Sequence, residues 1–158
     1  MNGGRPGIND KGILDLTAYD LWALAAASFQ KGTEEGFLDT VKYADAAVTK
    51  DPQLARAYIK KAYGVRFVAK VRRQNWDEAL RESSALARKA VGIDPNDADA
   101  HALLADSLMQ TGNPDQAIVE IDRALELNPS SADLLMTLAW NMSYLGRPEE
   151  GAALCAAL

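Results

Sequence analysis

Few side chains in this sequence could do chemistry, because the chain has one histidine, His101, and one cysteine, Cys155. Zinc and related metals need several His or Cys ligands, so a metal centre is not expected. His101 stands where a periodic apolar helix requires a large packing residue. Cys155 stands at an apolar helix position, where buried cysteine behaves as a small hydrophobic residue. We therefore predict no catalytic residue, no metal and no cofactor, and treat an enzyme as the disfavoured alternative.

Two further features concern membranes and secretion. Cys155-Ala156-Ala157-Leu158 fits a prenylation box, but no polybasic stretch precedes it and the residues continue a helical pattern. No apolar run approaches the length of a membrane span, and the first residues lack a secretory apolar region. The sequence therefore predicts no membrane association and a cytoplasmic location.

Positive charge is concentrated in one part of an acidic chain. The net charge of the chain is −5, yet ten Lys/Arg and only three Asp/Glu lie between Gln53 and Ala90. This segment therefore has a net charge of +7, and the remainder of the chain has a net charge of −12. The belt consists of Arg56, Lys60, Lys61, Arg66, Lys70, Arg72, Arg73 and Arg81. Its part from Arg66 to Arg73 could bind an acidic peptide or a phosphate, or the belt could be a solvated face. Nucleic acid is disfavoured, because no recognised motif accompanies the belt.

The elements that position these residues are punctuated by proline. Asp51-Pro52, Asp94-Pro95 and Asn128-Pro129 each follow an alanine-rich stretch, and Pro95 and Pro129 are 34 residues apart. Proline disfavours helical conformation of the preceding residue, so each dipeptide predicts a helix end. Gly112-Asn113-Pro114 and Gly146-Arg147-Pro148 have the same spacing of 34 residues and predict the turn inside each helical hairpin.

Small and large apolar residues recur within these units. The series His101-x2-Leu104-Ala105-x2-Leu108 is followed by Ala117-x3-Ile121, Ala124 and Pro129, and the next unit has Leu135-x2-Leu138-Ala139-x2-Met142. Alanine at positions 105, 117 and 139 would let two helices cross closely. The leucines and Ile121 would fill the space between hairpins. This pattern resembles the tetratricopeptide repeat (TPR), whose period is 34 residues.

The resemblance implies an all-α fold, a right-handed superhelix of about four TPR-like hairpins with the last one truncated. Pro52 and Pro95 are 43 residues apart, nine more than the repeat requires, so both helices of the second unit should be about one turn longer. We expect a disordered or linker segment at 1–15 and a TPR domain at 16–158. The predicted repeats are approximately 16–52, 53–95, 96–129 and 130–158.

The last predicted helix ends in an apolar run, Ala152-Ala153-Leu154-Cys155-Ala156-Ala157-Leu158. A solenoid normally needs a polar terminal helix to cover its final apolar face. The sequence therefore predicts either that the protein continues or that copies associate through this C-terminal hairpin, with Leu154 and Leu158 in the contact.

A narrower resemblance rests on the segment 16–22 and on the segment 88–101. Together they are similar to the C-terminal TPR segment of bacterial signalling proteins such as class III adenylate/guanylate cyclases, and some winged-helix regulators are built similarly. This resemblance implies a regulatory appendage of a larger protein. No cyclase or DNA-binding domain is present in the chain.

TPR arrays build their inner wall from the first helix of each hairpin. By register, the expected partner-binding wall contains Arg56, Ile59, Tyr63, Arg66, Phe67, Asp106, Met109, Met136, Trp140 and Tyr144. Aromatic residues and arginine dominate binding hot spots, although several of these residues could instead pack between hairpins. We predict a protein-interaction or regulatory scaffold that binds a protein, a peptide or a neighbouring domain. The alternatives are an oligomerisation element or a non-catalytic fragment of an enzyme or transcription regulator.

Overall fold

A computed structural model describes Gly12 and residues 15–156, without the side chains at positions 133, 137, 154 and 155. All regular structure within these residues is helical, which confirms the predicted all-α solenoid. The helices are α1 (Ala18–Phe29), α2 (Glu34–Lys50), α3 (Ala55–Arg72), α4 (Trp76–Ile93), α5 (Ala98–Gln110), α6 (Pro114–Leu127), α7 (Ala132–Tyr144) and α8 (Pro148–Ala156).

Some predictions concern positions outside this range. Of the predicted linker 1–15, the positions other than 12 and 15 lie outside the described residues. The side chains of Leu154 and Cys155, and all of Leu158, lie outside them as well. None of the described helices is both long and apolar enough to cross a membrane.

The proline dipeptides end helices, as predicted. Asp51, Asp94 and Asn128 are the C-terminal caps of α2, α4 and α6, with φ between −149° and −130° and ψ between 82° and 95°. This extended backbone is the conformation that a following proline imposes. Each cap N–H still donates to the carbonyl of an alanine four residues earlier, so the helix closes fully before the chain leaves it.

Glycine closes the first helix of three hairpins. Gly32, Gly112 and Gly146 have φ of 65°, 77° and 72°, a left-handed conformation that glycine adopts at little cost. The turn between α3 and α4 has no glycine, and Arg73 and Asn75 take the same conformation there, with φ of 53° and 56°. This turn therefore carries backbone strain that the other three avoid.

Consecutive helices pair, and successive pairs stack. Contacts join α1 with α2, α3 with α4, α5 with α6 and α7 with α8, and each odd-numbered helix also contacts the next odd-numbered one. The predicted crossing residues Ala105, Ala117 and Ala139 are buried, as are the predicted filling residues Leu104, Leu108, Ile121 and Leu138. The core therefore runs along the array as a series of clusters, each shared by neighbouring hairpins.

The nine additional residues of the second unit lie in helix, as predicted. Helices α3 and α4 have 18 residues each, whereas α5 and α6 have 13 and 14. The longer α3 carries most of the basic belt.

Candidate partner-binding groove

A groove of about 600 Å³ lies along the first helices of the hairpins. Every lining residue belongs to an odd-numbered helix or, for Ser131, to the N-cap of one. The lining residues are Trp22, Phe29, Arg56, Ile59, Lys60, Tyr63, Phe67, Asp99, Ala102, Ser131, Leu134 and Met136. The first helices therefore form the wall of the groove, as the repeat register predicts.

The floor near α1 and α3 is a cluster of aromatic rings. The ring centroid of Phe29 lies 5.1 Å from that of Phe67, 5.4 Å from that of Phe37 and 6.0 Å from that of Tyr63. Phe37 and Phe67 are 4.9 Å apart. Tilted and edge-on arrangements at these distances are favourable and leave the rings little freedom to reorient. The floor is consequently an apolar surface that is formed before any partner arrives.

Three cations of α3 lie over aromatic rings of this region. The Cζ atom of Arg56 is 5.7 Å from the Trp22 ring, the Nζ atom of Lys60 is 5.3 Å from the Phe29 ring, and that of Lys70 is 5.6 Å from the Phe67 ring. Cation–π contacts of this kind stabilise partly exposed sites by about 0.5–1 kcal/mol. They also hold the positive charges at the edge of the aromatic floor.

The other cations of α3 pair with carboxylates of neighbouring helices. The Nζ atom of Lys61 lies 2.7 Å from Oδ1 of Asp45 on α2 and 3.5 Å from Oε1 of Glu82 on α4. Burial lowers the pKa of Lys61, but the hydrogen bonds and charges of these two carboxylates outweigh burial and raise it. Arg72 lies 2.7 Å from Glu34. These residues of the predicted belt thus join helices instead of offering charge to a partner.

Arg66 and Asp106 form an ion pair between α3 and α5. The Nη1 atom of Arg66 donates to Oδ2 of Asp106, whose Oδ1 accepts a second hydrogen bond, of 3.1 Å, from Gln110. The nearby Tyr63 is largely removed from water. This burial, assisted by the charge of Asp106, raises the pKa of the Tyr63 phenol above its ordinary value.

The structure sorts the predicted wall residues into three groups. Arg56, Ile59, Tyr63, Phe67 and Met136 line the groove. A second group has other partners within the protein. Arg66 and Asp106 are bound to each other, and Met109 packs against the core between hairpins, as the alternative to partner binding predicts.

The third group is exposed on α7. Trp140 and Tyr144 are 65% and 70% exposed, do not line the groove, and contact each other edge to face with centroids 5.6 Å apart. Together with Met136, which is 60% exposed, they form a stripe at intervals of one helical turn. We call these three residues the α7 stripe.

Trp22 and Phe29 are wall residues that the sequence prediction missed. The pattern Leu21-x2-Leu24-Ala25 repeats the one seen in the later units, and Leu21 and Ala25 are fully buried. In that register Trp22 occupies the same repeat position as Ile59, Ala102 and Met136, and all four line the groove. Extending the register to the first hairpin would therefore have identified Trp22 as a wall residue.

His101 is buried at the back of the groove-forming helix, as expected for a packing residue. Its ring also has polar partners, because Nδ1 lies 2.5 Å from Oε2 of Glu120 and Nε2 lies 3.0 Å from the carbonyl oxygen of Pro95. The histidine thus connects α5 with α6 and with the preceding loop. His101 is not among the residues that line the groove.

The chain is similar to known repeat proteins both in sequence and in fold. Residues 71–140 match the family model of the tetratricopeptide repeat. The matched residues include α4, α5 and α6 and therefore the 34-residue unit on which the sequence prediction rests. No curated protein sequence matches the chain.

Solved structures show the same fold at low sequence identity. The TPR protein TTC0263 of Thermus thermophilus is 16% identical, with a TM-score of 0.76 over 92% of this chain and 75% of that one. The O-GlcNAc transferase of Thermobaculum terrenum is 20% identical, with a TM-score of 0.60 over 79% of this chain and 22% of that one. The type III secretion translocator chaperone SycD of Yersinia enterocolitica is 16% identical, with a TM-score of 0.56 over 89% of both chains.

Proposed function

We propose that this TPR array is a non-catalytic protein-interaction scaffold that holds a segment of another protein, or of a neighbouring domain, along the wall formed by its first helices. The observation that carries the proposal is the groove lined by α1, α3, α5 and α7 and continued by the α7 stripe. Two of the similar structures are a TPR protein and a secretion chaperone, which is compatible with such a role.

The energetics favour binding at this wall. Aromatic and methionine side chains that are 60–70% exposed in the free protein would release apolar surface from water when a partner covers them. The aromatic floor between α1 and α3 is already ordered by ring contacts. Little conformational entropy is therefore lost on the side of the scaffold when a segment binds.

In its finer form, the proposal is a regulatory appendage of a larger, cytoplasmic bacterial signalling protein, for example an adenylate cyclase. It is supported by the resemblance of the segments 16–22 and 88–101 to the C-terminal TPR segments of such proteins. In that setting the bound segment would belong to the signalling domain itself. The proposed role requires no cofactor.

Site-specific photo-cross-linking tests the location of binding. Benzoylphenylalanine would replace Met136 or Tyr144 on the α7 stripe in one set of variants and Val119 on α6, which is 64% exposed, in the control. We expect one discrete adduct from the stripe positions and none from Val119. Trp140→Ala should reduce the adduct formed at Met136 without changing helicity, because Trp140 is 65% exposed.

Adducts of equal yield from Val119, or an unchanged yield with Trp140→Ala, would refute the proposal. The exposed α7 stripe also favours a second candidate function, self-association. A mass that rises with concentration in sedimentation and that Trp140→Glu restores to the monomer would support an oligomerisation element instead.

A further inference from the structure

The cations of α3 fall into two sets with different surroundings. Lys61, Arg66 and Arg72 meet carboxylates of neighbouring helices. Arg56, Lys60 and Lys70 lie over aromatic rings. Of all these cations, Arg56 and Lys60 belong to the groove lining. The positive charge that borders the groove therefore comes from the second set.

Arg56 is suited to bind an anion. Its side chain is 59% exposed and rests on the Trp22 ring, which fixes the planar guanidinium without using its hydrogen-bond donors. Its Nε atom is 4.0 Å from Oδ2 of Asp97, beyond hydrogen-bond distance. In the described part of the chain, no side chain is hydrogen-bonded to the Nη atoms of Arg56.

Asp97, the carboxylate beside Arg56, also caps α5. Its Oδ1 accepts hydrogen bonds of 2.9 Å from the backbone N–H of Asp99 and 3.1 Å from that of Ala100, which caps the start of α5. The positive end of the helix stabilises this carboxylate independently of the arginine. A carboxylate from a partner could accept hydrogen bonds from the two Nη groups of Arg56 while Asp97 remains in place.

The groove surface beside Arg56 is apolar and is suited to bind an apolar side chain of a partner. Ile59, Ala102 and Met136 share one repeat position with Trp22 and form an apolar row across the groove. The lining carries two cations, Arg56 and Lys60, and one carboxylate, Asp99. A partner with basic flanking residues would face the two cations, whereas an acidic one would complement them.

We propose that the groove selects a peptide segment of another protein in which an apolar anchor is flanked by carboxylates, with Arg56 as the specificity-determining residue. The apolar anchor lies on the row that includes Met136, and a flanking Asp or Glu side chain binds the guanidinium of Arg56. This inference rests on the proposed function and adds the chemistry of the partner to it.

Three fluorescein-labelled synthetic peptides test the proposal by fluorescence anisotropy. They share the same leucine and phenylalanine anchors and differ only in the flanking residues, which are Glu, Gln or Lys. We expect the wild-type chain to bind the Glu peptide about tenfold more tightly than the Gln peptide, since a hydrogen bond between two charged groups is stronger than one to a neutral amide. The Lys peptide should bind most weakly.

Variants assign this preference to a residue. Arg56→Gln should abolish the preference for Glu over Gln, whereas Arg88→Gln, an equal charge change at an exposed position of α4, should preserve it. Met136→Ala should weaken the binding of all three peptides, because Met136 supplies apolar contact and is 60% exposed in the free protein.

Several outcomes would overturn the inference. In one of them, the wild-type chain binds all three peptides with equal affinity while Met136→Ala weakens their binding. That result would show that the groove binds an apolar anchor and does not select flanking carboxylates. An equal loss of preference in Arg88→Gln would indicate diffuse attraction to the basic belt. Binding of no peptide would also overturn the inference, and the cross-linking result would stand separately. A concentration-dependent mass that Arg56→Glu abolishes would identify a second copy as the occupant.

Discussion

His101 and Glu120 join the two helices of the third hairpin, with 2.5 Å between Nδ1 of the imidazole and Oε2 of the carboxylate. The other ring nitrogen lies 3.0 Å from the carbonyl oxygen of Pro95. One buried side chain thus fixes α5 against α6 and against the loop that precedes α5. Its slot in the repeat pattern requires a large residue, and histidine fills it while adding two polar contacts.

We expect His101→Ala to lower the free energy of unfolding by about 2–4 kcal/mol, through lost packing and through loss of the contacts with Glu120 and with the Pro95 carbonyl. Urea denaturation followed by circular dichroism measures the change. Glu126→Ala on the exposed face of α6 is the control and should stay within about 0.5 kcal/mol of wild type. A double-mutant cycle with Glu120→Ala should give a coupling of about 1–3 kcal/mol, and additive effects would contradict the bridge.

Gly64 marks a close approach of α3 to α2. A Cβ atom at this position would lie 2.9 Å from Cγ2 of Val41 and 3.3 Å from the backbone nitrogen of the same residue. Because the backbone cannot yield easily, we expect Gly64→Ala to destabilise the fold by about 1–3 kcal/mol. The midpoint of thermal or urea unfolding measures this effect.

Gly92→Ala is the matched control for Gly64→Ala. A Cβ atom at Gly92 meets nothing within 4 Å, and the residue lies in α4. Alanine there should stabilise the chain by up to about 1 kcal/mol, since alanine loses less backbone entropy than glycine on helix formation. Changes of the same sign in both variants would contradict the close approach at Gly64.

Arg73 supplies a third prediction, because it adopts the left-handed conformation that glycine adopts in the other three intra-hairpin turns. Arg73→Gly should raise the free energy of unfolding by about 0.5–1 kcal/mol through relief of this strain, partly offset by the greater freedom of glycine in the unfolded chain. The reverse change, Gly112→Ala at φ of 77°, should destabilise. A loss of stability in Arg73→Gly would show that its side chain matters more than its backbone.

Tyr63 supplies a prediction for alkaline pH. Burial, followed by the charge of Asp106, raises the pKa of its phenol in the folded state above the ordinary value of 10.0. The unfolded chain therefore ionises first, so the stability from Tyr63 is complete below the unfolded pKa and is lost as the pH rises above it. Between about pH 9 and 11, wild type should lose more stability than Tyr63→Phe. Parallel stability curves for the two proteins would contradict the raised pKa.

The positions of the helices could be predicted from the sequence because their causes are local. Proline at positions 52, 95 and 129 restricts the residue before it, and glycine at 112 and 146 permits the left-handed turn, whatever the rest of the chain does. The alanines at the crossings follow from the repeat, since each repeat meets the same neighbours. These short-range constraints were enough to predict an all-helical array and the longer helices of its second unit.

The chemistry of the wall was decided by tertiary structure, because it depends on which side chains meet across hairpins. Arg66 and Asp106 are 40 residues apart in sequence, and Arg72 and Glu34 are 38 apart. Sequence spacing alone could not show that residues of the basic belt form these ion pairs within the protein while Arg56 stays exposed over Trp22. The stacking of hairpins sets those distances, and a local pattern does not contain them.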